Sequence, residues 1–160
     1  MKNALIFYLL IILSLTISSC ISLDPPTVAY KDVQIKNLTI EETKIIFVLD
    51  VLNPNGIDLE ADAYEYTLLI EDQELIKGKN PGFKLLANKK TEVLIPITFK
   101  FEKVFGSALK MAEYMLEGKS SIPYKFKGKF DVKAFNLVIP VPFESTGTIP
   151  LPDISPERLF

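Results

Sequence analysis

The 160-residue chain has no histidine, no tryptophan and a single cysteine. Without histidine there is no Ser-His-Asp triad, no Cys-His pair, no histidine-ligated zinc and no histidine proton shuttle. One cysteine excludes an intrachain disulfide and a cysteine metal cluster. Neither sign of charge dominates, since 18 basic residues stand against 20 acidic ones for a net charge of −2. A nucleic-acid binder normally carries a strongly basic surface, so no nucleic-acid partner is expected. The unbroken apolar run from Ala4 to Leu13 falls short of the roughly 20 residues a membrane span needs. These absences remove most enzyme chemistries, and no catalytic residue, metal or cofactor is expected. What remains is long enough for one domain with a real core.

The ten-residue run follows a positive Lys2 and has the length of a signal-peptide core. After it comes Ile17-Ser18-Ser19-Cys20, a branched apolar residue, two small residues and the only cysteine. This resembles the lipobox of bacterial lipoproteins. The resemblance implies a signal peptide over residues 1–19, cleavage ahead of Cys20, and a diacylglycerol on its thiol, with the freed amine often acylated too. A plain secretory peptide with a stray cysteine, or an uncleaved anchor, is the alternative reading of the same residues. At about 0.8 kcal/mol per buried CH₂ one acyl chain binds reversibly, whereas two or three hold a protein on its membrane. Losing Lys2 leaves 17 basic residues against 20 acidic ones, a net charge of −3. Residues 20–27, with Pro25-Pro26, read as a short extended tether; its seven residues from Ile21 to Thr27 reach at most about 23 Å. Position 21 is Ile and not Asp, so the inner-membrane retention signal of many Gram-negative lipoproteins is missing. The expected location is the bacterial cell envelope, with the outer membrane favoured.

Residues 28–152 carry the folded body and 153–160 a C-terminal tail. Period-two alternation recurs, most cleanly over Ile122 to Ala134, where even positions are apolar or Gly and the odd ones include Lys125, Lys127, Lys129 and Lys133. Val93, Ile95, Ile97, Phe99 and Phe101 line a second strand, and Ile45, Phe47, Leu49 and Val51 a third. Ile46, Val48 and Leu52 on the opposite face of that third strand suggest cover on both sides. Tyr64, Tyr66, Leu68 and Ile70 make a fourth, with Val33, Ile35 and Glu74 to Lys77 as shorter candidates. Turns are expected at Asn53-Pro54-Asn55-Gly56, Asn80-Pro81-Gly82, Ala87 to Lys90 and Thr146-Gly147. Lys103 to Glu117 has helical periodicity, with Phe105, Ala108, Leu109, Ala112, Met115 and Leu116 on a core-facing stripe and a stop at Gly118. The proline-rich tail, with Pro140, Pro142 and Pro150 among others, is confined to edge strand and extended coil. The fold class is therefore all-β: an immunoglobulin/fibronectin-like antiparallel β-sandwich with one connecting α-helix over about residues 103–117.

Asn53-Pro54-Asn55-Gly56 is sufficiently explained as a turn. Pro54 presets φ, Asn55 or Gly56 can take a positive φ, and the Asn53 side-chain amide caps the turn. Lys125, Lys127, Lys129 and Lys133 form a stripe that could lie against anionic headgroups; its plainer reading is a solvated strand face that blunts edge pairing. Asp58, Glu60 and Asp62 alternate like the start of an oxygen-ligand loop, but Ala63 and Leu69 occupy positions where an EF-hand needs Gly and Glu. Glu71, Asp72 and Glu74 read as a solvated turn.

The order of these features resembles the late embryogenesis abundant type 2 family, whose bacterial members carry the WHy (water stress and hypersensitive response) domain. The resemblance rests on the apolar strand running into Asn53-Pro54-Asn55, then Leu59, Tyr64, Tyr66 and Leu68, then Leu75-Ile76-Lys77-Gly78, and later Lys90 to Ile97. It covers about residues 30–150. It implies a fibronectin-like sandwich with a helix, no catalytic residue, and a role in protection against desiccation, cold and related stress. Where the family usually has Gly before Leu75-Ile76, this chain has Glu71-Asp72-Gln73-Glu74, so one hairpin is expected to differ. The expected function is that of a non-enzymatic, membrane-anchored envelope lipoprotein, protective in water stress or binding proteins or surfaces. The alternative is an interaction subunit of an envelope assembly or transport system. The expected partners are the membrane, through the lipid, and a protein docked on a strand edge, either Pro140 to Phe143 or the lysine-bearing strand. A monomeric domain is expected.

Overall fold

Alternating apolar residues over most of the chain can bury one face only by pairing into sheets and stacking them, and that is what the chain does. The computed structural model describes residues 23–106 and 108–152. Ile17, Ser18, Ser19 and Cys20, the signal peptide and the 153–160 tail lie outside the described residues.

The elements run β1 (Thr27–Leu38), β2 (Thr43–Leu52), β3 (Leu59–Ala61), β4 (Tyr64–Ile70), β5 (Gln73–Asn80), β6 (Phe83–Leu85), β7 (Lys90–Phe99), α1 (Phe101–Phe105), α2 (Ala108–Leu116), β8 (Ser121–Ala134) and β9 (Leu137–Pro150). One sheet has the order β1-β2-β7; the other has the order β5-β4-β8-β3-β6, with β9 also on β8. All pairings are antiparallel. β9 occupies one side of β8 along its whole length, so β4 and β3 share the other side, against residues 124–129 and 132–133. β5 and β6 continue them outward. The larger sheet is thus four lanes wide, two of them broken at Asp62-Ala63 and Pro81-Gly82.

The inward residues meet as an aromatic file. Phe47 of β2 is fully buried and stacks on Phe126 of β8, with centroids 3.9 Å apart and planes 9° off parallel. Tyr124 meets Phe47 edge-on at 5.3 Å, and Phe143, Phe130 and Phe83 carry the file onward. Val48, on the outward face of β2, is also buried, whereas Leu52 at the strand's end is exposed, so the second face of β2 is covered only at its middle. Thr146-Gly147 is not a turn: both residues lie within β9, opposite Lys125 and Tyr124. Pro140, Pro142 and Pro150 share one phase of β9, so their missing N–H groups fall on one side of an edge strand.

The single helix expected over 103–117 is two short helices. Gly106 takes a left-handed φ of 73°, which an L side chain adopts only at a cost, and its N–H closes α1 on Glu102 O at 2.7 Å. The restart resets the helical phase. Phe101 and Met111 are buried and Val104, Phe105, Tyr114 and Met115 pack beside them, but Leu109 and Leu116, expected on the core stripe, are exposed. Phe101, expected on the β7 strand, instead opens α1.

Pairing register fixes what lies at each end of the sandwich. Both helices, the Thr39–Glu42 turn and the Glu71-Asp72 turn share one end, where Phe101 N–H reaches Ile40 O and Tyr114 Oη–H donates to Glu71 Oε1. The Asn53–Gly56 turn, the Leu86–Lys89 turn and the β8–β9 turn share the other.

The Glu71-Asp72-Gln73-Glu74 segment forms a tight hairpin. Glu71 and Asp72 join β4 to β5 as a two-residue loop with φ of 48° and 61°, the primed geometry that Asn-Gly fills with least strain. Asp72→Gly should therefore raise stability by about 0.5–1 kcal/mol, read by chemical denaturation. A loss of stability would show that the Asp72 side chain holds the turn.

Candidate functional site

Where β2 ends, four consecutive residues organise one end of the domain. Asn53 is fully buried and Asn55 nearly so. An amide buried there must find partners for both its donors and its acceptor, and it does. The Asn53 Nδ2 group donates to Ile57 O at 2.8 Å and to Leu85 O and Leu86 O at 3.2 Å. Its Oδ1 accepts from the Asn55 backbone N–H and from Asn55 Nδ2, each at 3.0 Å. The backbone ties the same loops again, through Asn53 N–H to Lys89 O at 3.0 Å and Asn88 N–H to Asn55 O at 2.9 Å. Asn53 is thus the side-chain cap expected of it, and a hub for two further loops. Neither Asn55 nor Gly56 has a positive φ; the left-handed residues at this end are Asn88, in the neighbouring turn, and Phe135, in the β8–β9 turn. The Asx bond from Asn53 replaces the left-handed step.

Asn55 does something the turn pattern alone does not contain. Its amide makes a two-point bridge to the backbone of Asp24, with Asp24 N–H to Oδ1 at 2.9 Å and Nδ2–H to Asp24 O at 2.8 Å. Pro26 is buried and Leu23 packs against the core. The described part of the expected 20–27 tether is therefore held on the domain. The Asn53-Pro54-Asn55 motif is a clamp on the incoming chain at Asp24, four positions after Cys20 in sequence.

The four lysines keep the outward face of β8 but differ in company. Lys125 Nζ lies 2.8 Å from Glu144 and Lys133 Nζ 2.6 Å from Asp62. Those carboxylates hold both ammonium groups above the usual lysine range. Lys127 and Lys129 line a shallow groove of about 490 Å³ with Glu65, Thr67, Pro142 and Glu144. The lysine-bearing strand is not an edge, because at 14 residues it is long enough to be paired along both sides. Of the two docking edges expected, β9 is the one that remains, at one margin of the sheet whose other margin is β5 and β6.

Of the alternating acids, Asp58 and Asp62 are engaged with cations. Asp58 accepts Ala87 N–H at 2.9 Å and meets Lys84 at 3.0 Å, and the two together hold its carboxyl below the usual range. Asp62 is paired with Lys133. Asp62, Glu65 and Asp131 line a second groove of about 440 Å³ with Lys79 and Lys129 set among them. Among the described residues no group of three or more acids, cysteines or histidines could hold a metal ion. No described helix is long and apolar enough to cross a membrane.

Comparison with known proteins agrees with the geometry. The family described as late embryogenesis abundant protein matches residues 48–147, a span that includes the Asn53-Pro54-Asn55 clamp and both faces of β8. No curated protein matches the chain. A solution structure of a protein described as late embryogenesis abundant is 19% identical with a TM-score of 0.61, covering 96% of this chain and 87% of that one. An Arabidopsis thaliana protein solved in solution is also 19% identical, with a TM-score of 0.58 over 87% of this chain and 90% of that one. A protein from Archaeoglobus fulgidus is 12% identical, with a TM-score of 0.53 over 83% of this chain and all of that one. At these identities the structures speak for the fold.

Proposed function

The chain belongs to the late embryogenesis abundant protein family, and from that membership we propose a lipid-anchored, non-enzymatic module of the bacterial cell envelope that acts by surface contact under water stress. The family points to a non-enzymatic, stress-associated role. The observation that carries the anchored reading is the place of the sole cysteine. Cys20 closes a lipobox-like run with Ile17, Ser18 and Ser19 and stands three residues ahead of Leu23, beside the backbone that Asn55 clamps. A rigid sandwich held that close to a bilayer is suited to keep dehydrating surfaces apart and to shield partly unfolded proteins. The WHy-type assignment and the outer membrane, suggested by Ile21, belong to the same reading.

Cys20→Ser should abolish incorporation of labelled lipid and move the protein from the membrane to the soluble fraction; labelling that persists in the variant would rule the anchor out. A client enzyme dried with the protein should keep more activity than with an equal mass of albumin, and equal recovery would remove the protective role. The side of β9 to which no described strand is hydrogen-bonded favours a second reading, an interaction subunit of an envelope assembly. That reading requires a stoichiometric partner in crosslinked pull-downs from intact cells.

A further inference from the structure

We propose that the turn joining β8 to β9 seats in the headgroup and upper acyl region of the bilayer that holds Cys20, with Phe135, Leu137 and Val138 as the inserted side chains. This rests on the lipid-anchor reading above and adds an orientation to it.

Three independent observations meet at this turn. First, Phe135, Leu137 and Val138 are 72%, 53% and 57% exposed, three consecutive apolar side chains apart from Asn136. Second, Phe135 has a φ of 54°. A bulky aromatic residue in the left-handed region at a solvent-exposed turn works against the fold, and such strain persists where something other than folding requires the side chain. Third, the turn lies at the end of the sandwich from which the tether leaves. Glu60 pairs with Lys133 and Leu59 with Leu85, Thr27 pairs with Leu52, and Asn55 clamps Asp24. Leu86, 41% exposed, sits at the same end.

The length of the intervening chain makes the placement consequential. From Cys20 to Leu23 the backbone reaches at most about 11 Å. With lipid on Cys20, that end of the domain has to face the headgroups. Aromatic and aliphatic side chains at that depth are favoured in the interface. Leu109 and Leu116 are also exposed, but they sit at the helix end, a strand length on the order of 40 Å away along β8. The lysine stripe runs along that length, so a domain standing on its tether end brings only Lys133 close to the membrane, and Lys133 is paired with Asp62.

The absence of tryptophan from the chain gives a clean test. Phe135→Trp and, separately, Leu116→Trp are introduced into the full chain, which is purified from membranes and reconstituted into phosphatidylcholine–phosphatidylglycerol vesicles with bromines high on the acyl chains. Intact mass on the same samples reports the lipid on Cys20. Insertion by about 5–10 Å should shift the F135W emission to the blue and quench it to about half or less, leaving L116W unchanged. Lipid present by mass with F135W unquenched, or with both probes equally quenched, overturns the seating while the anchor stands. Lipid absent by mass removes the anchor reading; added brominated vesicles then decide the turn alone, quenching supporting its affinity for lipid and no quenching overturning it. A blue shift that depends on protein concentration in lipid-free buffer would assign the turn to a second copy and overturn the proposal. Phe135→Gly should raise the melting temperature by about 2–4 °C; a lower melting temperature would contradict the strain argument.

Discussion

Asn53→Ala is expected to destabilise the domain by about 4 kcal/mol, because it removes the side-chain partner of the buried Leu85 carbonyl and of the buried Asn55 N–H at once. The side chain it removes serves the carbonyls of Ile57, Leu85 and Leu86 and the N–H of Asn55. Each buried group left without a partner costs about 1–3 kcal/mol, and some recover part of that through water in the space left behind. Denaturant titration with an unchanged slope is the measurement, and a cost below about 1 kcal/mol would mean that the two flanking backbone bonds hold the loops unaided. Asn53→Asp separates shape from hydrogen bonding. It keeps the acceptor that Asn55 uses but points a carboxylate oxygen at three carbonyls. Its folded carboxyl would be held above the usual range, so the variant should be most stable at acid pH. That stability should fall as the pH rises past about 4, the ordinary carboxyl value, towards the raised one. A variant whose stability rose with pH would contradict the assignment of Nδ2 to the carbonyl side.

Phe47→Ala should cost about 4 kcal/mol by a different mechanism, loss of apolar burial plus a cavity between the sheets. Phe47 is fully buried, stacked on Phe126 and edge-on to Tyr124, so the lining side chains are themselves fixed in the aromatic file and collapse poorly. Phe47→Leu, which refills most of the volume, should cost about 1–2 kcal/mol. Phe105→Ala makes the contrast: that ring is only partly buried beside Phe101 and Tyr114, and its loss should cost clearly less than Phe47→Ala. Equal costs at positions 47 and 105 would mean that the centre of the sandwich packs no more tightly than its helical cap.

Much of this arrangement was legible in the amino-acid order. The alternation over Ile122 to Ala134 marks β8 to within a residue, and the apolar residues of β2, β4 and β7 face inward as their spacing requires. β1 was harder to see, since two register shifts, at Tyr30/Asp32 and Ile35/Asn37, interrupt its alternation and most of it is exposed. The helical stripe was misplaced because one left-handed glycine restarts the count. The lysine-bearing strand looked like an edge because lysines often blunt edges; nothing local says that β9 will run its full length alongside. The clamp was half legible. Asn53 capping its own turn is a local event, but the bridge from Asn55 to Asp24 spans 31 residues of sequence and no short-range signal encodes it. Phe135 carries no local signal in the sequence, because only its backbone angle and exposure set it apart from the other phenylalanines.

Protein extracted from the membrane fraction and digested to its N-terminal peptide puts the whole account to one reading, the mass at residue 20. The anchored module requires a chain that begins at Cys20 and carries a diacylglycerol on the thiol. A chain recovered from the soluble fraction with Cys20 unmodified would contradict it.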